Sequence, residues 1–188
     1  VFFVVTPPGR YLARGAWEEG RILARRRPIV QLVHDSTLDG ATRAKLALVL
    51  DAREYAAKTL RLNAKESFTT YTQLDSDTLV LVLTAAYRDR LMIRTWWWPI
   101  VGRVPYQGFF DFAAARRAQQ DHEREGYDTD LRPSSAFSTL GWFNDPLLST
   151  TLSSDSTFLV NTVIHELLHN TVWIPGDVSF NESFASFV

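Results

Sequence analysis

His165-Glu166-Leu167-Leu168-His169, followed after a short loop by Asn181-Glu182-Ser183-Phe184-Ala185, is the stretch on which the reading of this chain turns. Histidines four apart on an α-helix differ by only about 40° around the axis, so both imidazoles leave one face and can grip one ion. Glu166 falls between them, beside that ion without binding it. A carboxylate in that place can take a proton from an activated water and pass it to a leaving group. Glu182 can return from a second helix as the third ligand. The predicted cofactor is Zn2+ on His165, His169 and Glu182, with Glu166 as general base.

The surrounding residues suit such a helix. Phe158, Leu159, Val160, Val163 and Ile164, with Leu167 and Leu168, give the histidines apolar neighbours, as a helix passing through a core requires. Ser154 or Asp155 is placed to cap its start. Titratable side chains in that setting need partners, and a metal supplies them; the plainer alternative is a pair of hydrogen-bonded core histidines. Two neutral imidazoles and one carboxylate leave Zn2+ with net positive charge and an open fourth position, the arrangement that brings a bound water's pKa to about 7. Structural zinc is more often closed by four ligands, commonly cysteines, and this chain has no cysteine. His122, in the polar run Gln119 to Arg124, reads as a solvated helix-end residue, and His34 as a loop residue.

The chain has 188 residues, 46% hydrophobic and 13% aromatic, enough for a substantial core in a single globular domain over 1–188. A net charge of −1 argues against a nucleic-acid or membrane-surface binder, and Arg25-Arg26-Arg27 is short enough to be a solvated helix end. No stretch is long enough to span a bilayer. Val1-Phe2-Phe3-Val4-Val5 reads either as the tail of a removed signal or anchor segment or as a buried edge strand. Val188 lies six residues beyond Glu182, which leaves a short final helix, so the chain is expected to be either a fragment of a protein that continues or an unusually short member of its kind.

Patterning gives an α+β organisation. Residues about 10 to 26 read as a helix, with Leu12, Trp17 or Ala16 and Leu23 on its inner side. A second helix covers about 37 to 61, where Leu46, Val49, Leu50, Arg53, Ala57 and Leu60 recur at helical spacing. Strands are expected at Phe68 to Leu74, Thr78 to Ala86 and Leu91 to Trp98. Asp111 caps a helix that runs to about Glu125 and stops at Gly126. Another extended segment covers roughly 136 to 143, and the metal helix closes the order. The result is an N-terminal helical layer, a small mixed sheet and the metal helix beneath it.

Several motifs together resemble the bacterial putative aminopeptidase family, zinc peptidases of the zincin type. They are Arg25-Arg26-Arg27-Pro28-Ile29, Arg53-Glu54-Tyr55-Ala56, Trp98-Pro99-Ile100-Val101-Gly102, Tyr106-Gln107-Gly108-Phe109-Phe110, and the specific run Phe137-Ser138-Thr139-Leu140-Gly141-Trp142-Phe143-Asn144-Asp145-Pro146-Leu147-Leu148-Ser149-Thr150. The zinc helix and Phe180-Asn181-Glu182-Ser183-Phe184-Ala185 complete the set. The resemblance implies a zincin-like fold, His165, His169 and Glu182 as ligands, Glu166 as base, the gluzincin arrangement, and an exported or membrane-anchored protein of the bacterial cell envelope. Membrane attachment would come only through a missing N-terminal anchor. The chain departs from the family at Trp97 and Arg103, where cysteines tend to stand, at Gln107, often Arg, and at Leu168-His169-Asn170, often Ala-His-Gln.

The substrate implied is a peptide. In zinc peptidases it commonly lies along a sheet edge, for which Ser138 to Phe143 is the candidate. Tyr106 is the candidate donor to the developing oxyanion, against a plain core tyrosine. Trp96, Trp97 and Trp98 should alternate faces, and Asp145 or Asp177 could orient a ligand histidine from behind. Two other readings stand beside the peptidase: a zinc hydrolase acting on a non-peptide carbonyl, and a non-catalytic binding protein.

Overall fold

The computed structural model describes residues 7–98, 102–134 and 144–188. The chain divides into two compact units. One comprises Val1–Ile22, Thr78–Ser135 and Pro175–Val178, the other Leu23–Asp77, Ala136–Ile174 and Ser179–Val188. The fold is α+β, as expected.

The first unit holds most of helix α1 (Pro7–Ala24) and a sheet built around strand β3 (Val80–Tyr87). Ile22 of α1 is buried, whereas Trp17 is 65% exposed and Ala16 is exposed too, which corrects their expected inward placement. A short pair, β4 (Trp96–Trp98) and β5 (Gly102–Val104), precedes β6 (Gln107–Phe109), helix α4 (Phe112–Arg124) and β7 (Tyr127–Ser134). β3 pairs antiparallel with β6 on one side and β7 on the other, so Leu83 faces Gln107 and Leu131. Leu83, Phe109 and Ala115 form a small core against which Leu81, Ala114, Ala118 and Leu131 pack. Asp111 caps α4 by accepting from the Ala113 and Ala114 amides, and Gly126 leaves it at a φ of 91° that suits glycine.

A histidine of this unit also differs from expectation. His122 is buried, not solvated. Its ring lies 5.7 Å from that of Trp96 and 6.0 Å from that of Tyr127, with Nδ1 3.3 Å from Glu125. On α4 it sits one turn before the end, where the inner face still meets β4 and β7. Trp97 points the other way and is 63% exposed, in keeping with alternation along a strand.

The second unit begins with β1 (Arg27–Pro28), the short helix α2 (Ile29–Leu32) and the long helix α3 (Gly40–Lys58), capped by Asp39, which accepts from the Thr42 amide at 2.9 Å. Then come β2 (Thr70–Thr72), β8 (Leu147–Leu148), α5 (Ser149–Leu152), α6 (Ser156–His169) and α7 (Val178–Phe187). β2 pairs antiparallel with β1 and parallel with β8, a small mixed sheet. Leu46, Val49, Ala52 and Ala56 of α3 share one core with Leu159, Val163, Leu167 and Leu168 of α6, with Ile29, Leu32, Phe68 and Leu147 around them.

Polar ties then fix α6 at both ends. Lys45 Nζ donates to the carbonyls of Leu152 and Ser154 at 3.1 and 2.6 Å, holding the turn that enters α6. Arg53 donates to the carbonyls of Ser67 and Lys65, shaping a loop in which Phe68 adopts φ 59°, a conformation rare for a bulky side chain. That loop fastens the far end of α6: Asn170 Nδ2 donates to Ser67 Oγ at 3.1 Å, and the Asn63 amide donates to Thr171 Oγ1 at 2.8 Å. The expected extended segment at 136 to 143 lies outside the described residues. The helix expected at about 10 to 26 covers Pro7–Ala24 and that at about 37 to 61 covers Gly40–Lys58, the strand expected at Thr78 to Ala86 covers Val80–Tyr87, and of those expected at Phe68 to Leu74 and Leu91 to Trp98 only Thr70–Thr72 and Trp96–Trp98 are regular strand. No described helix is long and apolar enough to cross a membrane.

Leu159 is fully buried where α6 meets α3. Leu159→Ala is therefore expected to destabilise the chain by about 2–5 kcal/mol. Urea unfolding followed by helicity measures it, and a loss under about 0.5 kcal/mol, the scale of surface positions, would contradict the close packing.

Candidate metal centre

Helix α6 starts at Asp155, whose carboxylate accepts from the amides of Thr157 and Phe158 at 3.0 Å each, the second of the two caps expected from sequence. Fourteen residues later it ends on His169. Leu159, Val163, Leu167 and Leu168 commit one side of the helix to the core, and this turns His165 and His169 toward α7. There Glu182 meets them.

His165 Nε2 lies 3.1 Å from His169 Nε2 and 3.2 Å from Glu182 Oε2; His169 Nε2 lies 3.5 Å from Glu182 Oε1. The two rings are perpendicular, with centroids 4.7 Å apart. An ion bound tetrahedrally at about 2.0–2.1 Å holds its donor atoms about 3.3 Å apart; the spacing between the two nitrogens, and from each nitrogen to one of the two Glu182 oxygens, is close to that value. The donor set also fits a borderline divalent metal: two imidazole nitrogens, one carboxylate, and room for a further group. His169 is 4% exposed and Glu182 47%, so the centre is closed on the side of α6 and open toward solvent on the side of α7.

Charge distribution favours the same grouping. The Glu182 carboxyl is held down to about 2, first by its hydrogen bond with His165 and then by that with His169. His165 is raised above its usual 6.5, first by the bond to Glu182; burial opposes this, and the charge of Glu166 adds to it. The Ala185 backbone adds a smaller push in the same direction. Glu166 is partly buried, with its Oε2 atom shielded from solvent.

Tyr106 is 36% exposed between β5 and β6, in the first unit, whereas the three donors and Glu166 belong to the second. Ser138 to Phe143 lies outside the described residues. Asp145 is buried and Asp177 exposed, but neither holds His169 from behind, because His169 Nδ1 has no hydrogen-bond partner among the described residues. The neighbour that does meet this imidazole is Trp173, edge to face at 5.4 Å and 81°. Trp173, one turn beyond His169, was detectable by spacing alone; Asn181, whose amide binds the Ile174 backbone, stood beside the predicted ligand without a role.

Without an ion, these shifts make stability depend on pH. The contribution of Glu182 is present above its unfolded value of 4.5 and is lost as pH falls toward 2. That of His165 is present below 6.5 and is lost as pH rises through its raised value. The pair therefore adds most between about 4.5 and 6.5, and modestly, since Glu182 is half exposed to screening solvent. The difference in urea midpoint between chelator-treated wild type and Glu182→Gln should peak in that window; a difference that keeps growing toward alkaline pH would contradict the pairing.

Comparison with known proteins gives one assignment. No curated protein and no solved structure matches the chain. Residues 10–188, which span both units and all four of the clustered residues, match the family described as "Putative aminopeptidase". The chain belongs to that family.

Proposed function

We propose that this protein is a zinc-dependent peptidase of the gluzincin kind, with a zincin-like arrangement of its metal helix, acting on peptides. The observation that carries the reading is the cluster of His165 Nε2, His169 Nε2 and the two carboxylate oxygens of Glu182, in contact at 3.1 to 3.5 Å, beside a carboxylate at Glu166. Membership of an aminopeptidase family supports peptide bonds as the target.

These three side chains would hold Zn2+, which when bound acidifies water and polarises a carbonyl. Glu166 is the proton carrier. Its carboxylate accepts a proton as water adds to the scissile carbonyl and returns it to the amine that leaves. The phenol of Tyr106 is the proposed hydrogen-bond donor to the oxygen that gains charge. A cell-envelope location with an N-terminal anchor, and the absence of a nucleic-acid partner, belong to the same proposal.

Two experiments test it. Wild type is expected to hold one zinc per chain by elemental analysis and His169→Ala to lose it; equal retention in both would remove the proposed ligand set. Glu166→Gln should keep its zinc yet hydrolyse peptides at least about a hundredfold more slowly. Near-native turnover with full metal content would exclude Glu166 as the base.

Substrate choice follows from what holds a free ammonium. A cation stripped of water in a cleft needs an acidic partner, and the Gly-x-Met-Glu-Asn loop that supplies one in a well-known group of gluzincin aminopeptidases is absent from this sequence. Recognition of the free amine is therefore expected to be weak, and short internal peptide bonds to be cut as well. Matched peptides with free and acetylated N-termini decide this: cleavage of the free form alone, one residue at a time, would show the expectation wrong.

A further inference from the structure

One side chain closes the connection between the metal helix and the third ligand. Asn181 is 2% exposed. Its Oδ1 accepts from the Ile174 amide and its Nδ2 donates to the Ile174 carbonyl, both at 2.9 Å. A primary amide bound to both backbone groups of one residue reproduces the paired exchange of two residues in an antiparallel ladder, and so fixes distance and direction together.

What this clamp joins is specific. On the upstream side the chain is already anchored, because the amides of Thr171 and Val172 both donate to Leu168 O at 2.8 Å, and Asn170 and Thr171 are tied to the loop at 63–67. Asn181 carries that anchorage across to the first turns of α7, and the next residue is Glu182. The Glu182 side chain is 47% exposed, so surrounding packing does little to hold it. A half-exposed carboxylate with free rotation would spend much of its time away from the imidazoles.

We infer that Asn181 is a positioning residue for the metal centre: by tying α7 to the Ile174 backbone it sets the Glu182 carboxylate at ligand distance from His165 and His169. The inference rests on the metal reading above. It differs from a purely structural role in one respect, since a structural asparagine would support stability equally whether or not residue 182 can bind an ion.

A double-mutant cycle on the full chain separates the two. Zn2+ and Co2+ affinity are measured by competition with a chromogenic chelator for wild type, Asn181→Asp, Glu182→Gln and the double variant. Aspartate keeps the size of asparagine but turns an acceptor toward the Ile174 carbonyl where a donor stood. Asn181→Asp is expected to weaken both ions about 10–100-fold. The double variant should bind no more weakly than Glu182→Gln alone, because placement ceases to matter once the ligand is gone. The Co2+ absorption spectrum of Asn181→Asp should move toward that of Glu182→Gln. Asn181→Ser, neutral and smaller, is expected to behave in the same non-additive way and serves if the aspartate variant does not fold.

Losses that add in the double variant, or unchanged affinity with only a lower unfolding midpoint, would overturn the positioning role while leaving the metal reading intact. Failure of both Asn181 variants to fold would also count against a role specific to the ligand. A wild-type chain that takes up neither ion overturns the metal reading, and the role of Asn181 with it.

Discussion

Helix α6 must bury one face and keep two imidazoles on another, and much of the second unit follows from that constraint. Leu159, Val163 and Leu167 are fully buried against α3, so the helix has little freedom to rotate. His169, almost as deeply placed at 5% exposure, cannot turn to water for its hydrogen bonds. A polar group in that position is costly unless partnered, and the partners come from the next histidine along the helix and from α7. The ties at Asp155, Lys45 and Asn170 hold the two ends of α6.

The local chemistry was legible where it depends on helical period. His165, Glu166 and His169 could be placed on one helix from spacing alone, and Asp155 and Asp111 act as caps because a short carboxylate before an apolar run has few other uses. The return of Glu182 to the two histidines was also legible in outline. Less visible was what makes it return. The Asn181 clamp depends on the backbone of Ile174, and a backbone group has no signature in a sequence.

The misreadings have physical causes too. Strand β7 went unrecognised because Asp128, Asp130 and Arg132 on its exposed face, with Pro133 near its end, hide the alternation of Tyr127, Thr129 and Leu131. Polar neighbours led to His122 being read as solvated, whereas three aromatic and acidic side chains from β4, β7 and the end of α4 enclose it. Trp17 lies on the exposed side of α1 because Ile22 takes the buried position. In each instance composition described one face of an element and the structure used the other.

The clamp between Ile174 and Asn181 also bears on how insertions would be felt. Thirteen positions separate His169 from Glu182, and an unrestrained tether of that length would present the carboxylate at an effective concentration that falls only slowly as residues are added. With Asn181 bound to the Ile174 backbone, the free span before the ligand shrinks to a single peptide link. Residues added between Ile174 and Val178 would enlarge a closed loop at small entropic cost, whereas one residue added between Asn181 and Glu182 would rotate the carboxylate about 100° around the axis of α7 and off the face that meets the histidines.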